Sequence, residues 1–161
     1  IYFPRIFLPA GTIAAGLVDL TVSFAILIVI VLIWGYVPSW SILILPVLLM
    51  ILLATALGIA SGLAAVNVRY RDVRYIVPFL VQMWLFLTPI AYPSSLIGEP
   101  WRTISAVNPM VGVVEGFRWG VLGHIEAPLA LIGVSAASAL VFLAIGLAYF
   151  DRVERSFADL I

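Results

Sequence analysis

The fold class the sequence predicts is an all-α polytopic membrane protein, with four transmembrane helices and a re-entrant or interfacial helix pair before the last of them. Three observations carry this. Of the 161 residues, 65% are hydrophobic and only 10% charged, whereas a soluble domain is usually about 25% charged. There is no charged residue between Leu20 and Val68, and none between Ile76 and Gly98. Apolar runs beyond about 18 residues cross a bilayer as helices, because lipid offers the backbone no hydrogen-bond partners. A barrel would instead alternate in segments of roughly ten residues, and these runs are continuous. The third observation is the break between the runs, Asn67-Val-Arg-Tyr-Arg-Asp-Val-Arg-Tyr75, which places Arg69, Arg71, Arg74 and Asp72 on one short loop. A loop so short and basic stays on the cytoplasmic side and orients its flanking spans. Tyr70 and Tyr75 bracket it where interfacial aromatics belong.

The first element is aromatic and basic. Ile1 to Leu8 carries Tyr2, Phe3, Arg5 and Phe7 and is broken by Pro4 and Pro9, a pattern suited to a cytoplasmic interfacial segment feeding a helix. The first span follows at about 12–33 and ends in Trp34-Gly-Tyr-Val-Pro-Ser-Trp40, an external turn with an aromatic belt. The second span, about 42–66, carries a dense set of small residues in its inner half, with Gly58 and Gly62 spaced for close helix contact. Beyond the basic loop, a third span at about 76–92 contains Pro78 and Pro89, which bend a helix or open its hydrogen-bond ladder.

Residues 94–126 are too polar for a simple span, yet 103–114 are uncharged. Twelve residues reach about 18 Å as a helix, short of the roughly 30 Å hydrocarbon core, so the segment 101–123 is read as re-entrant or interfacial, turning at Asn108-Pro109. The last span, about 128–150, leads into Asp151-Arg-Val-Glu-Arg155, a solvated helix end. Arg5, Arg69, Arg71, Arg74, Arg152 and Arg155 then fall inside and only Arg102 and Arg118 outside, together with Glu99, Glu115 and Glu126. Both ends of the chain are expected in the cytoplasm.

Composition also excludes function classes. A formal net charge of zero gives no electrostatic footprint for nucleic acid. With no cysteine and a single histidine, His124, neither a disulfide framework nor a thiolate or histidine metal site is expected. No catalytic constellation is present: there are no paired intramembrane carboxylates, no nucleophile and histidine at a recognisable spacing, and no G-x-x-x-x-G-K-S/T phosphate loop. ATP, if used, must bind another chain or domain. The sequence begins at Ile1 without a methionine or a charged region ahead of a short apolar core, so no signal peptide is expected and the chain reads as continuing a longer protein.

Three groups of residues invite a functional reading beside a plainer one. Asp19 lies about two turns into the first span, where ionisable residues are costly and often functional; the plainer reading pairs it with an arginine or hydrates it near the interface. Tyr75, Phe79, Gln82 and Phe86 recur at helical spacing on the third span. Such a face can stack on sugar rings and bond hydroxyls along a translocation path, or it can pack on a neighbouring helix or lipid. Glu115 and Arg118, at i and i+3, can form an outer gate with the Asn108 turn or an ordinary surface pair.

Several blocks taken together resemble a known family. Tyr2-Phe-Pro-Arg5, Asn67-Val-Arg-Tyr-Arg-Asp72, Pro89-Ile-Ala-Tyr-Pro93, Asn108-Pro109, Glu115-Gly-Phe-Arg-Trp119 and Glu154-Arg-Ser-Phe-Ala-Asp159 are similar to the permease subunits of type-2 ATP-binding-cassette (ABC) exporters. The polysaccharide branch, which exports O-antigen (lipopolysaccharide) and teichoic acid, is the nearest in likeness. The resemblance implies a six-span permease in the bacterial inner membrane, working as a homodimer with nucleotide-binding ATPase subunits that hold ATP and magnesium. Its substrate would be a lipid-linked polysaccharide. It further implies that Tyr2, Phe3 and Arg5, and Asn67, Arg69, Arg71, Asp72 and Arg74, contact the ATPase, and that 101–123 forms re-entrant helices near the exit. An N-terminal cytoplasmic helix and two spans of that pattern are absent here. The alternatives are a permease for drugs or small lipids in the same superfamily and a membrane scaffold without a transport path.

Overall fold

The computed structural model describes residues 7–36, 40–70, 72–123 and 126–158. Among them the regular structure is helical: α1 (Phe7–Ile33), α2 (Leu45–Arg69, entered through a 3-10 turn at Trp40–Ile44), α3 (Val73–Leu87), α4 (Trp101–Ser105), α5 (Pro109–Leu122) and α6 (Leu129–Ala158). Among the described residues, three stretches are long and apolar enough to cross a membrane, Gly11–Ile33, Trp40–Arg69 and Leu129–Arg155.

Each helix ends where local chemistry stops it. After α1, Gly35 adopts φ +79°, a left-handed conformation that costs glycine nothing. Its N–H bonds to Leu32 O at 3.0 Å and that of Tyr36 to Val31 O at 3.1 Å, the paired closure of a Schellman motif. Pro46 sits in the first turn of α2, where a missing N–H is harmless. Asn108 caps α5 by accepting from Met110 N at 3.1 Å, with Pro109 at the first helical position.

The third helix differs from its expected bounds. It starts earlier, at Val73, and stops at Leu87 instead of reaching Tyr92. Pro89 disfavours helical geometry at the residue before it, and Thr88 accordingly turns extended (φ −97°, ψ 130°). At 15 residues α3 measures about 22 Å, less than the roughly 30 Å hydrocarbon core. The chain runs on from it as an irregular segment, residues 88–93.

The core lies between α2, α5 and α6. Leu48 and Ile51 from α2, Val113 from α5, and Ile132 and Ala139 from α6 form its centre. Close approach of the backbones makes this possible. A Cβ on Gly146 would lie 1.9 Å from the carbonyl oxygen of Gly58, and one on Gly58 would meet the Phe142 carbonyl oxygen at 2.5 Å, so α2 and α6 touch backbone to backbone. On α5, Gly112 faces Ser135 and Leu131, Gly116 faces Leu48, and Gly120 faces Ile44 and Ser41. Helix α1 rests on this unit through few side chains, among them Phe24, edge-on to Phe117 of α5 at 6.1 Å. No residue of α3 is buried.

Candidate functional site: a buried polar hairpin and an open helix face

Polar side chains concentrate where α4 and α5 form a helical hairpin against the end of α3. Residues 88–93 are irregular and Ser94 opens a short 3-10 turn, and Pro89 and Pro93 have no N–H, yet Thr88, Pro89 and Ser94 are fully buried. Buried backbone in a membrane protein must find its partners within the protein. Here they come from α5. The Ser94 N–H donates to Glu115 Oε1 at 3.4 Å, and Arg118 Nη2 donates to the Pro89 carbonyl at 3.3 Å. Arg118 Nη1 bonds the same Glu115 oxygen, so one ion pair reaches backbone groups on both sides of Tyr92. Arg102 Nε adds a bond to Ser94 Oγ at 3.3 Å.

The cap residue of α5 is also shared. Asn108 Nδ2 donates to Thr88 Oγ1 at 2.9 Å while its Oδ1 holds the start of α5. On the far side of the hairpin, the buried hydroxyl of Ser135 accepts from Gly112 N and donates to Ala106 O, both at 3.0 Å. A Cβ at Gly112 would come within 2.5 Å of that hydroxyl oxygen, so the bridge depends on glycine. Ser138 reaches the Val107 carbonyl in the same way.

Helix α3 presents the opposite situation. Tyr75, Phe79, Gln82 and Phe86 line one face at 3.6-residue spacing, and the three aromatics are 70%, 62% and 72% exposed. Trp84 lies on the reverse of that face and packs edge-on against Phe142 of α6 at 6.0 Å. The aromatic and amide face therefore points away from the α2, α5 and α6 unit and touches no other described helix closely.

At the other end of α3, Asn67 and Arg74 line one open groove together with Leu63, Ala64, Val77 and Pro78. Arg74 stacks over the Tyr75 ring at 4.8 Å and donates to its hydroxyl at 2.8 Å, and Arg69 stacks over Tyr70 at 5.7 Å. Asp72 is exposed in the turn that starts α3. Tyr2, Phe3, Arg5 and Arg71 lie outside the described residues, as does His124. Asp19 is exposed near the middle of α1 and shares a face with Gly16 and Ser23, which are exposed as well. It joins neither the hairpin nor the basic end.

Sequence reasoning missed several members of the hairpin site. Thr88, Ser94, Ser135 and the glycines at 112, 116 and 120 carry much of its geometry. A Gly-x-x-x-Gly-x-x-x-Gly pattern was there to be read in α5 as a close-contact face. For Thr88, Ser94 and Ser135 the bonds that tie them to α5 and its flanking turn join residues 20 to 29 positions apart, which no local pattern signals.

The fold and this site define a polytopic helical membrane protein in which a tightly packed hairpin unit is joined to a helix with one bare aromatic face. Residues 2–122 match the ABC-2 type transporter family, and the chain belongs to it. It is 30% identical over 159 residues to the O-antigen export system permease protein RfbA of Myxococcus xanthus, an alignment that takes in 98% of this chain and 61% of that protein. A protein of the same name from Klebsiella pneumoniae is 24% identical over 167 residues, covering 99% of this chain and 61% of its own length. The inner membrane transport permease YadH of Escherichia coli K12 is 29% identical over 93 residues, 58% of this chain and 36% of YadH. The chain thus spans about three-fifths of the length of the O-antigen export permeases it matches.

Proposed function

We propose that this chain forms the transmembrane permease part of an ABC exporter that moves a lipid-linked polysaccharide, of the O-antigen or teichoic acid class, across the bacterial inner membrane. The observation that carries the reading is the 30% identity to an O-antigen export permease over 98% of the chain, within the ABC-2 type transporter family. The bare face of α3 suits such a substrate. Aromatic rings stack on the apolar faces of sugar rings, and the Gln82 amide offers both a donor and an acceptor to hydroxyls. Asn108, Glu115 and Arg118 would stand at the outer end of this path, where the gate is placed.

In this reading the energy comes from a partner ATPase, to which ATP and magnesium are assigned. What supports it is the family and a sequence without a phosphate-cradling loop. The docking surface proposed for the ATPase is Tyr2, Phe3 and Arg5 with Asn67, Arg69, Arg71, Asp72 and Arg74. A second permease copy completes the path, and both ends of this chain face the cytoplasm.

Deleting the permease gene tests the substrate. Surface polysaccharide should disappear and lipid-linked polymer should accumulate inside, with recovery when the full-length gene is restored. Normal surface polymer together with retention of a drug or small lipid would transfer the assignment to the small-substrate branch. Docking is tested by Arg71→Glu, which should abolish co-purification of the ATPase and leave membrane insertion unchanged, while Arg152→Glu retains it. Normal export by Arg71→Glu would reduce the loop to a topological anchor.

A further inference from the structure

We propose that Asn108, Glu115 and Arg118 are positioning residues that clamp the backbone of residues 88–94, so that the far end of α3 and the α4 and α5 hairpin move as one body. The inference deepens the transport reading, because α3 carries the face proposed for the path. It specifies what these residues do at the outer mouth: they hold the mouth together and do not part to open it.

The hydrogen bonds lead to this assignment. A free-standing ion pair has no reason to be buried, since removing two charges from water costs more than their attraction returns unless the remaining donors and lone pairs are satisfied. Glu115 is only 6% exposed. What satisfies the pair is backbone: Ser94 N on the carboxylate and Pro89 O on the guanidinium. The need is mutual, because Pro89 lies in irregular backbone and Ser94 is the first residue of a 3-10 turn, where an N–H has no helical partner. Asn108 extends the same arrangement to Thr88, the residue that ends α3.

The charged pair sits on its own side of α5. Glu115 and Arg118 lie on one side of the helix with Asn108 capping its start, whereas Gly112, Gly116 and Gly120 turn toward α6 and α2. Helix α5 is therefore held on two sides, by glycine contacts to the core and by hydrogen bonds to the segment after α3. A gate that opened by separating α5 from residues 88–94 would have to break every one of these bonds and leave Pro89 O, Ser94 N and the ion pair without partners. Moving the segment and the hairpin together breaks none of them.

Full-length permease with its ATPase, in lipid nanodiscs, provides the test, first without any transport measurement. Hydrogen exchange at the Ser94 amide should speed up at least tenfold in Glu115→Leu. Glu115→Gln, whose side-chain oxygen still accepts from that N–H, should stay within about threefold of the parent. Unchanged exchange in Glu115→Leu, or equal loss of protection in both variants, overturns the clamp whether or not the protein exports polysaccharide. The double exchange Glu115→Arg/Arg118→Glu restores opposite charges but gives Pro89 O no donor and Ser94 N no acceptor. It should leave Ser94 as unprotected as Glu115→Leu does, and recovery of protection would show that the ion pair alone matters.

The last arm separates clamp from gate. These 161 residues contain no cysteine, so a Thr88→Cys/Asn108→Cys pair can be oxidised selectively once any cysteine elsewhere in the full-length permease and its ATPase has been replaced. The cross-linked permease should retain ATP-driven export within twofold of its reduced form. A tenfold loss on oxidation, reversed by reductant, would mean that the two parts separate during transport and would overturn the proposal.

Discussion

The hairpin end of the molecule and the face of α3 are built from the same membrane-compatible residue types yet use them in opposite ways. Around α5, glycines let backbones touch, and every buried hydroxyl, amide and charge named above has a partner. Along α3, large aromatics and a glutamine project outward, with Tyr75 held only by the neighbouring Arg74 of the same helix, and Trp84 on the reverse side packs on Phe142 of α6. Lipid supplies no hydrophobic drive for helices to associate, so contact must come from close packing and polar pairing. Where both are present the structure is fixed; where both are missing, the face is available to a substrate, a second copy or another helix.

Breaking the fixed region should have the largest effects. Arg118→Met leaves the buried Glu115 without its countercharge, a change that costs about 3–5 kcal/mol in fully buried pairs and about 2–3 kcal/mol here, because the Arg118 side chain is 24% exposed. Denaturation in mixed micelles should show a loss of this order, and a cost below about 1 kcal/mol would mean that the pair is effectively solvated.

The helix crossing comes next. Gly146→Ala places a methyl group on the Gly58 carbonyl and should cost about 1–3 kcal/mol through forced separation of α2 and α6. Gly133 provides the control, since a Cβ there meets nothing within 4 Å. Gly133→Ala should be neutral or stabilising by about 0.4–1 kcal/mol, because alanine lowers the entropy of the unfolded chain. Equal behaviour of the two variants in thermal unfolding would remove the contrast between packed and bare faces.

The smallest stability change is expected on α3. Phe79→Ala and Phe86→Ala remove exposed rings and should stay within about 0.5 kcal/mol of the parent while lowering export. If instead they unfold the protein and preserve export per folded molecule, the aromatic face is packing surface and not path.

Much of this contrast was legible in the chain before any fold was known. The third helix shows how far. Its aromatic and amide face follows from spacing alone, and the stop at Thr88 follows from Pro89, although Tyr92-Pro93 suggested a later exit. The early stop matters, because it turns residues 88–93 into irregular backbone that something else must satisfy. The hairpin was legible as a segment too short to span and turning at Asn108-Pro109. Glu115 and Arg118 stood out as a pair, but a spacing of three residues cannot say whether a pair is solvated or buried. Burial depends on what the fold brings over it.

Membrane residence, helical class and the positions of the breaks were therefore determined by the sequence itself. Apolar content, proline restriction, glycine turns and N-capping all act within a few residues of where they are written. The tertiary structure alone decided which glycines meet a backbone, that Ser135 bridges the two ends of the α4 and α5 turn, and that the Glu115 and Arg118 pair closes on Pro89 and Ser94. These contacts join residues 19 to 88 positions apart, and they exist only because α2, α5 and α6 approach closely enough for a single oxygen or a single missing Cβ to decide the fit.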